Sequence, residues 1–464
     1  MNMTATTLSR GLDGKTVGIV GLGDSGVATA HWLRGHTKQL ILIDSNPDSL
    51  AAQHLQELEF PAEFRLGSFT ATTFAGCDCL VVSPGVPLAT PEIAAFRRQG
   101  GEVVGDVELF ARTLSPHAVK IIAITGSNGK STVTELCGHL CRHVGLDTVV
   151  AGNIGFPVLA ALLQAENNGA LPDIFVLELS SFQLETTTSL NATAATVLNI
   201  SEDHLNRYTD LLDYAHSKRA VFNGNGVQVL NRDDLFVRAM ARQGRPVKTF
   251  SLSFPADYRM VTREGAPWLN IDGIAVFDLA SFPLTGLHNA ANALAALALC
   301  EACGLDREQL LVGLASFRGL PHRVEWVAKI GTVDFYDDSK GTNVGATAAA
   351  LNGMSRRVVL IAGGDGKGQD FTPLAPALAR IGRAVLLIGR DGPTIEQALG
   401  ELNMPVERCA SLEEATQKAL EYAQPNDVVL LSPACASFDM FRSYAHRAEV
   451  FVMEVLRLAG EASA

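Results

Sequence analysis

Short apolar runs alternate along the chain with longer stretches in which apolar residues return every three or four positions. The first pattern fits buried strands, and the second fits helices that lay one face on a sheet. Two runs, "TVGIV" and "QLILIDS", flank a helical pattern that starts at about Ser25, and "CLVVSPGVPLATPEI" adds a strand leading into a Gly/Pro-rich loop. Past the loop "RTLSPHAVK", the strong run "IIAITG" opens a second block that holds "DIFVLELSS", "AATVLNIS" and "GVQVLNRD". That block closes with "NAANALAALALCEACG", whose apolar residues run almost all round, so a buried helix is expected. The turn-rich "FRGLPHRVE" ends it, since Gly and Pro interrupt both periodicities. A third block repeats the rhythm in "VDFYDDS", "RRVVLIAGG", "AVLLIGR" and "DVVLLSPA", each followed by a helical stretch. Strands alternating with helices in this way build parallel sheets from βαβ units.

The pattern predicts an α/β protein of three domains over residues 1–111, 112–318 and 319–464, the first and last of them Rossmann-like. A length of 464 residues agrees with that count at roughly 150 residues per domain. A net charge of −12 disfavours nucleic acid as a partner, because that affinity comes from Lys and Arg neutralising phosphates. Any anionic ligand then needs local devices such as glycine loops, helix N-termini, a few lysines or metal ions. The first residues lack the apolar centre of a secretory signal, and no stretch reaches about 18 uncharged apolar residues. A cytoplasmic protein with no membrane partner is expected. The 8 cysteines suit a reducing compartment in a chain of this length. Cys77-x-Cys79 and Cys300-x-x-Cys303 lack a second pair at metal-ligand spacing and read as structural.

Two glycine loops carry candidate chemistry. Gly21, Gly23 and Gly26 spell G-x-G-x-x-G between a strand and a helix, and Asp44 ends the next strand. That is the layout of a dinucleotide-binding fingerprint, which raises an NAD-dependent dehydrogenase as one reading. In "AITGSNGKST", Gly126, Gly129, Lys130 and Ser131 stand between a strand and a helix, as in a shortened phosphate-binding loop with Ile124 in place of the usual first glycine. Backbone N–H groups and the helix N-terminus there favour phosphate, Lys130 suits its outer oxygens, and the Ser131 hydroxyl suits Mg²⁺. A central P-loop-type ATPase domain is therefore expected. Glu178 ends an apolar strand, and "NISEDHLNRY" offers Asn199, Asp203 and His204 after another. Taken singly, Glu178 reads more often as a solvated acid or helix cap, His204 more often as a surface residue, and Lys218 as an ordinary helix lysine.

Read in order, "GSNGKST … AGNIG … ELSSFQLE … EDHLNRY … SKRAVF … GLHNAANALAALAL … GLPHRVE … DDSKGTN … AGGDGKGQDF … SPACASFD" resembles the bacterial Mur ligases over roughly residues 15 to 455. Within that family the motifs are most similar to those of members that add D-glutamate to UDP-N-acetylmuramoyl-L-alanine. The resemblance implies an ATP-dependent ligase of cytoplasmic peptidoglycan synthesis that passes through an acyl phosphate, with two Mg²⁺ ions. It implies that Ser131, Glu178, His204 and Lys218 serve the metals, Lys218 as a carbamate formed with CO₂, and that Lys130 and Lys340 assist the chemistry. ATP would lie on Gly126, Ser127, Asn128, Gly129, Lys130, Ser131 and Thr132. Asn289 and Asn292 would take its adenine, Arg323 its phosphates (with His322 beside it) and Asp338 its ribose. The first glycine loop would then serve a uridine diphosphate, with Asp24, Ser25, Asp44, Ser45, Ser83, Gly85 and Asn153 around the sugar nucleotide. D-glutamate would meet Thr342, Lys367, Ser437 and the Phe438 backbone. Relatives more often carry Leu and Phe at the positions of Phe438 and Tyr444. The resemblance further implies a monomer whose third domain swings onto the second. The alternatives are the same reaction with L-glutamate, a neighbouring Mur or folylpolyglutamate-type ligase, a P-loop switch, and the dehydrogenase. The last would leave Gly126 to Ser131, Glu178 and His204 without a role.

Overall fold

The computed structural model describes residues 11–203, 207–284, 286–320, 322–400 and 402–463. The first sheet contains β1 (Thr16–Val20), β2 (Gln39–Asp44), β3 (Glu63–Leu66), β4 (Cys79–Val82) and β5 (Glu102–Val104). All neighbours are parallel in the order β3-β2-β1-β4-β5. The strand order reverses at β1 and β4, which opens a crevice beyond their C-terminal ends. The glycine loop after β1 and the Ser83 loop after β4 both emerge there. Gly26 allows the turn to close: a Cβ at that position would stand 2.0 Å from the Gly21 carbonyl oxygen.

The second sheet holds β6 (Lys120–Thr125), β7 (Thr148–Gly152), β8 (Ile174–Glu178), β9 (Ala194–Val197), β10 (Val227–Asn231), β11 (Val247–Ser251), β12 (Tyr258–Arg263), β13 (Ala266–Ile271) and β14 (Ile274–Asp278). Its order is β14-β13-β12-β11-β10-β9-β6-β8-β7. The strand that feeds the phosphate loop, β6, thus lies between β8 and β9, which carry the Glu178 and Asn199 segments. The last two strands depart from the parallel rule, pairing antiparallel as β12-β13-β14. Their turns are Glu264-Gly265 (φ 53° and 82°) and Asp272-Gly273 (φ 52° and 88°). Two consecutive positive φ values match the right-handed twist of a tight hairpin, and Asp-Gly is a strong sequence signal for it.

The helix Leu287–Ala302 packs against Lys130–His143 in one apolar core, and every residue from Ala293 to Cys300 is buried. That accounts for its all-round apolar pattern. Cys300 and Cys303 meet Cys137 and Cys141 of the facing helix in this core. Among the described residues these thiols form no metal-ligating cluster, and burial pushes Cys303 up to about 12. They behave as small apolar side chains.

The third sheet joins β15 (Glu325–Ile330), β16 (Val333–Asp337), β17 (Val358–Gly363), β18 (Gly382–Ile388), β19 (Val406–Arg408) and β20 (Val428–Leu431) in the order β15-β16-β20-β17-β18-β19. Only the edge pair β15-β16 is antiparallel. The helix Asp106–Leu114 spans residue 111 and leads from the first sheet into β6. No helix among the described residues is long and apolar enough to cross a membrane.

Candidate active site

Gly129 is the N-cap of Lys130–His143 in the left-handed region, φ 82°, and a Cβ there would come within 2.6 Å of Asn292 Oδ1. The loop is fastened from the side by the segment after β9. Asn128 donates its N–H to Asn199 Oδ1 at 2.8 Å while Asn199 Nδ2 donates to the Asn128 carbonyl at 3.0 Å. Ser127 Oγ donates to the Ser201 carbonyl at 3.0 Å and accepts the Ser201 N–H at 2.9 Å. Asn199 is therefore a brace for the loop. Lys130 Nζ donates to the Gly126 and Ser127 carbonyls, both at 2.9 Å, and burial lowers its pKa.

Arg323, from the start of the third unit, donates to Ser131 Oγ at 3.0 Å, so the phosphate loop and the C-terminal unit touch directly. Around this contact lies a cavity of about 320 Å³ lined by Asn128, Gly129, Thr132, Asn289, Asn292, Arg323 and Asp338 among others. The helix bearing the two asparagines is capped by Gly286 with no side-chain cap, and Asn292 Nδ2 donates to Asn289 Oδ1 at 3.1 Å. Asn289 and Asn292 thus face the cavity together. His288 also lines it. Burial lowers that imidazole to about 4, so it is neutral at pH 7. Its place in "GLHNAAN", next to the asparagines, was the signal available in the sequence. Asp338 accepts from Ser432 Oγ at 2.7 Å, and burial raises its carboxyl to about 7.

Glu178 is 2 % exposed; Asn153 Nδ2 donates to its Oε1 at 2.8 Å, while its Oε2 is buried without a partner. Lys218 is 1 % exposed. Its Nζ lies 3.4 Å from Thr125 Oγ1 and 4.6 Å from the centre of the Tyr214 ring. Burial, then the Lys130 charge, push its pKa well below the ordinary lysine value, although Asp203 and Glu178 oppose this. His204 lies outside the described residues. Among the described residues the one His/carboxylate cluster of metal-ligating type is His322, Glu325 and Asp337, in the hinge. Those groups satisfy one another, through His322 Nδ1 and Asp337 Oδ2 at 2.6 Å and the His322 N–H and Glu325 Oε2 at 2.8 Å.

A second cavity, about 430 Å³, lies between the first sheet and the loop after β7. Asp24, Ser25, Asp44, Ser45, Ser83, Gly85 and Asn153 all line it. Asp44 Oδ2 accepts the Leu22 N–H at 2.7 Å, and Ser83 Oγ donates to the Gly21 carbonyl at 2.6 Å. These two side chains therefore hold the glycine loop in shape from both sides.

Thr342, Lys367 and Ser437 sit on the loops after β16, β17 and β20, which are adjacent strands with β20 in the middle. The latter two loops are bridged by Asp365 and Ala436, which exchange backbone bonds at 2.9 and 2.8 Å. Arg447, fully buried, fastens the first loop to them: it donates to Ser339 Oγ, to the Ser339 carbonyl at 2.8 Å and to the Cys435 carbonyl at 3.2 Å. Nothing in the sequence marks this arginine, which shares its helix Tyr444–Ser463 with Arg457. Lys340 Nζ stands 3.8 Å from the centre of the Tyr444 ring. Ser437 is buried and the Phe438 side chain is 76 % exposed, which leaves the backbone of Phe438 as its contribution to this face.

Comparison with known proteins agrees with this division. Residues 15–105 match the MurD-like N-terminal domain of Mur ligases, 124–300 the Mur ligase middle domain, and 322–435 the Mur ligase glutamate ligase domain. The UDP-N-acetylmuramoylalanine--D-glutamate ligase of Chromobacterium violaceum is 64% identical, over 94% of this chain and 96% of that protein. The protein of the same name from Thiobacillus denitrificans is 53% identical over 99% of both chains. Among solved structures, the UDP-N-acetylmuramate-alanine ligase of Thermotoga maritima superposes with a TM-score of 0.60 at 19% identity, over 96% of this chain and 99% of its own, a likeness of fold.

Proposed function

The chain belongs to the Mur ligase family, and we propose that it uses ATP to join D-glutamate to UDP-N-acetylmuramoyl-L-alanine. The observation that carries this reading is the convergence of three sites. Asn153 of the sugar-nucleotide cavity donates to Glu178, whose charge acts on Lys130 of the phosphate loop, and Arg323 brings the third unit, with its candidate amino-acid loops, onto Ser131. A dehydrogenase has no use for the second and third of these.

The terminal carboxylate of the sugar-nucleotide substrate attacks the γ-phosphorus of ATP, releasing ADP and leaving an acyl phosphate. The free amine of D-glutamate then attacks the acyl carbon, loses a proton, and expels inorganic phosphate as the amide forms. Lys130 and Arg323 supply positive charge where negative charge develops on the transferred phosphoryl group. Asn289 and Asn292 hold the adenine, and Asp338 accepts from the ribose. Lys367 and Thr342 take the amino acid's α-carboxylate, and Ser437 with the Phe438 N–H takes the distal one. Lys340, held over Tyr444, helps order the closed site. Closure of the third unit keeps water from the acyl phosphate.

The residues present fit Mg²⁺. The unpartnered, buried Glu178 Oε2 and the Ser131 hydroxyl are oxygen donors of the kind that ion prefers. When bound, two such ions neutralise charge between ATP and the carboxylate. Lys218 fits the second ion as a carbamate. Burial favours the neutral form of its amine, the nucleophile that adds to CO₂ with loss of one proton to give a carboxylate-like anion. His204 completes this set in the proposal.

Phosphate release measured with ATP, Mg²⁺, UDP-N-acetylmuramoyl-L-alanine and a panel of D- and L-amino acids tests the reading. D-glutamate alone is expected to support turnover. Turnover with L-glutamate would reassign the stereochemistry, and turnover independent of any amino acid would refute the ligase reading.

A further inference from the structure

Asp106 begins the helix Asp106–Leu114 and is 3 % exposed. Its Oδ1 accepts the Val107 N–H at 2.8 Å, whereas its Oδ2 is buried with no partner. The Ser25 hydroxyl and the Gln183 carboxamide face this carboxyl without completing a bond to Oδ2. Both of those side chains line the sugar-nucleotide cavity, Ser25 from the first unit and Gln183 from the second. Asp106 thus lies behind the wall of that cavity, on the seam between two domains.

The seam is tightly fixed. A Cβ on Gly105 would stand 2.2 Å from Thr186 Oγ1. One turn further on, Glu108 accepts the Thr188 N–H at 2.7 Å, the Ser189 N–H at 2.9 Å and the Ser189 hydroxyl at 2.6 Å. The helix is therefore held against residues 183–189 whether or not Asp106 contributes. Gln183 has a second engagement. Its Oε1 accepts from the Ser180 N–H at 3.0 Å and from Ser180 Oγ at 3.1 Å, while Ser180 Oγ accepts the Gln183 N–H at 3.2 Å. This capping box begins two residues after Glu178. With Oε1 so occupied, the amide Nε2 is the group that Gln183 can offer Asp106.

We propose that Asp106 is a positioning residue of the ligase. Its carboxyl orients Ser25 toward the sugar nucleotide and, through Gln183 and the Ser180 capping box, fixes the end of β8 that presents Glu178. The sugar-nucleotide cavity and the phosphoryl-transfer centre are thereby connected across the domain seam by one carboxylate. This rests on the proposed assignment of that cavity to the UDP-linked substrate.

The test compares Asp106→Asn, Gln183→Glu and the double variant. Asn preserves volume and the Oδ1 bond but places an N–H₂ opposite the Gln183 N–H₂. Glu at 183 retains an acceptor for Ser180 and places a second one opposite Asp106. In the double variant donor and acceptor face each other again. Each single variant is expected to raise KM for UDP-N-acetylmuramoyl-L-alanine about tenfold and to lower kcat. KM for D-glutamate should stay within about twofold, Tm should stay near that of the parent, and the double variant should recover most of the loss. The proposal is overturned if the KM values are unchanged, if they all rise together with a falling Tm, or if the double variant is no better than the singles. Parent enzyme measured in parallel separates the two readings: an inactive parent refutes the assigned reaction, and an active parent leaves the variants to judge Asp106.

Discussion

Lys218 sits in a helix of unremarkable composition, yet only 1 % of it is exposed and its pKa is driven far down by burial and by Lys130. A shift in that direction makes the amine a better nucleophile for CO₂, whereas the ammonium form would repel a cation. Lys218→Ala is expected to lose at least about a hundredfold in kcat, a typical scale for a lost group that acts in phosphoryl transfer. Added acetate should restore part of it by standing in for the carbamate; undiminished activity in the variant would remove the modification from the mechanism. Asp338 offers a second test at this scale. Burial raises its carboxyl to about 7, so the protonated form gains as pH falls through 7. If the ionised carboxylate accepts from the ribose, KM for ATP should rise about tenfold between pH 8 and pH 6, as the ionised fraction falls. Asp338→Asn should raise KM at pH 8 and flatten the profile.

The helix Asp106–Leu114 illustrates what one element contributes. Glu108 is 1 % exposed; burial alone would push its carboxyl up, but the Ser189 and Thr188 donors and Arg112 hold it at about 2. Because the folded-state pKa lies below the unfolded one, its stabilisation is complete above about pH 4.5 and is lost as pH falls toward 2. Glu108→Gln should lower stability at pH 7 by about 2 kcal/mol, the scale of a charged group's lost hydrogen bonds. It should also weaken the acid dependence seen in urea unfolding between pH 5 and pH 3. A variant with the parent's pH slope would show that the docked helix is held by packing alone. At this scale the sequence was readable where one period dominated. Strands β6, β8 and β9 and the all-round apolar helix Leu287–Ala302 follow directly from it. The hairpins β12-β13-β14 fall outside the expected βαβ rhythm, and Asp272-Gly273 is the turn signal the sequence carried for them.

Across the whole molecule, the first two units are fastened by Glu108, while the third meets the second through the Phe317–Glu325 segment and the Arg323–Ser131 contact. Arg318, exposed in that segment, is a point for limited trypsin cleavage. ATP with Mg²⁺ and the sugar nucleotide should slow that cleavage several-fold if closure gathers the units around the substrates. Equal rates with and without ligands would argue against such closure.

The sequence by itself determined the strands and helices with one dominant period and the local chemistry of the two glycine loops. Strand and helix periods, glycine spacing and a Lys-Ser pair at a helix start are local properties, and local sterics and hydrogen bonding impose them. Taken singly, Glu178, Lys218, Asn289 and Asn292 carry no sign of a common site, and only the order of the motifs, through the family resemblance, grouped them. Only the tertiary structure set β6 between β8 and β9, turned the Lys218 amine into a dry interior, and brought Arg323 192 residues along the chain to Ser131. The same holds for the glycine loop after β1. Its G-x-G-x-x-G geometry is local and specifies an approach to phosphate, whereas its cavity takes Asn153 and Gln183 from the next domain. Burial and long-range charge depend on what packs around a residue, and a one-dimensional pattern does not contain that information.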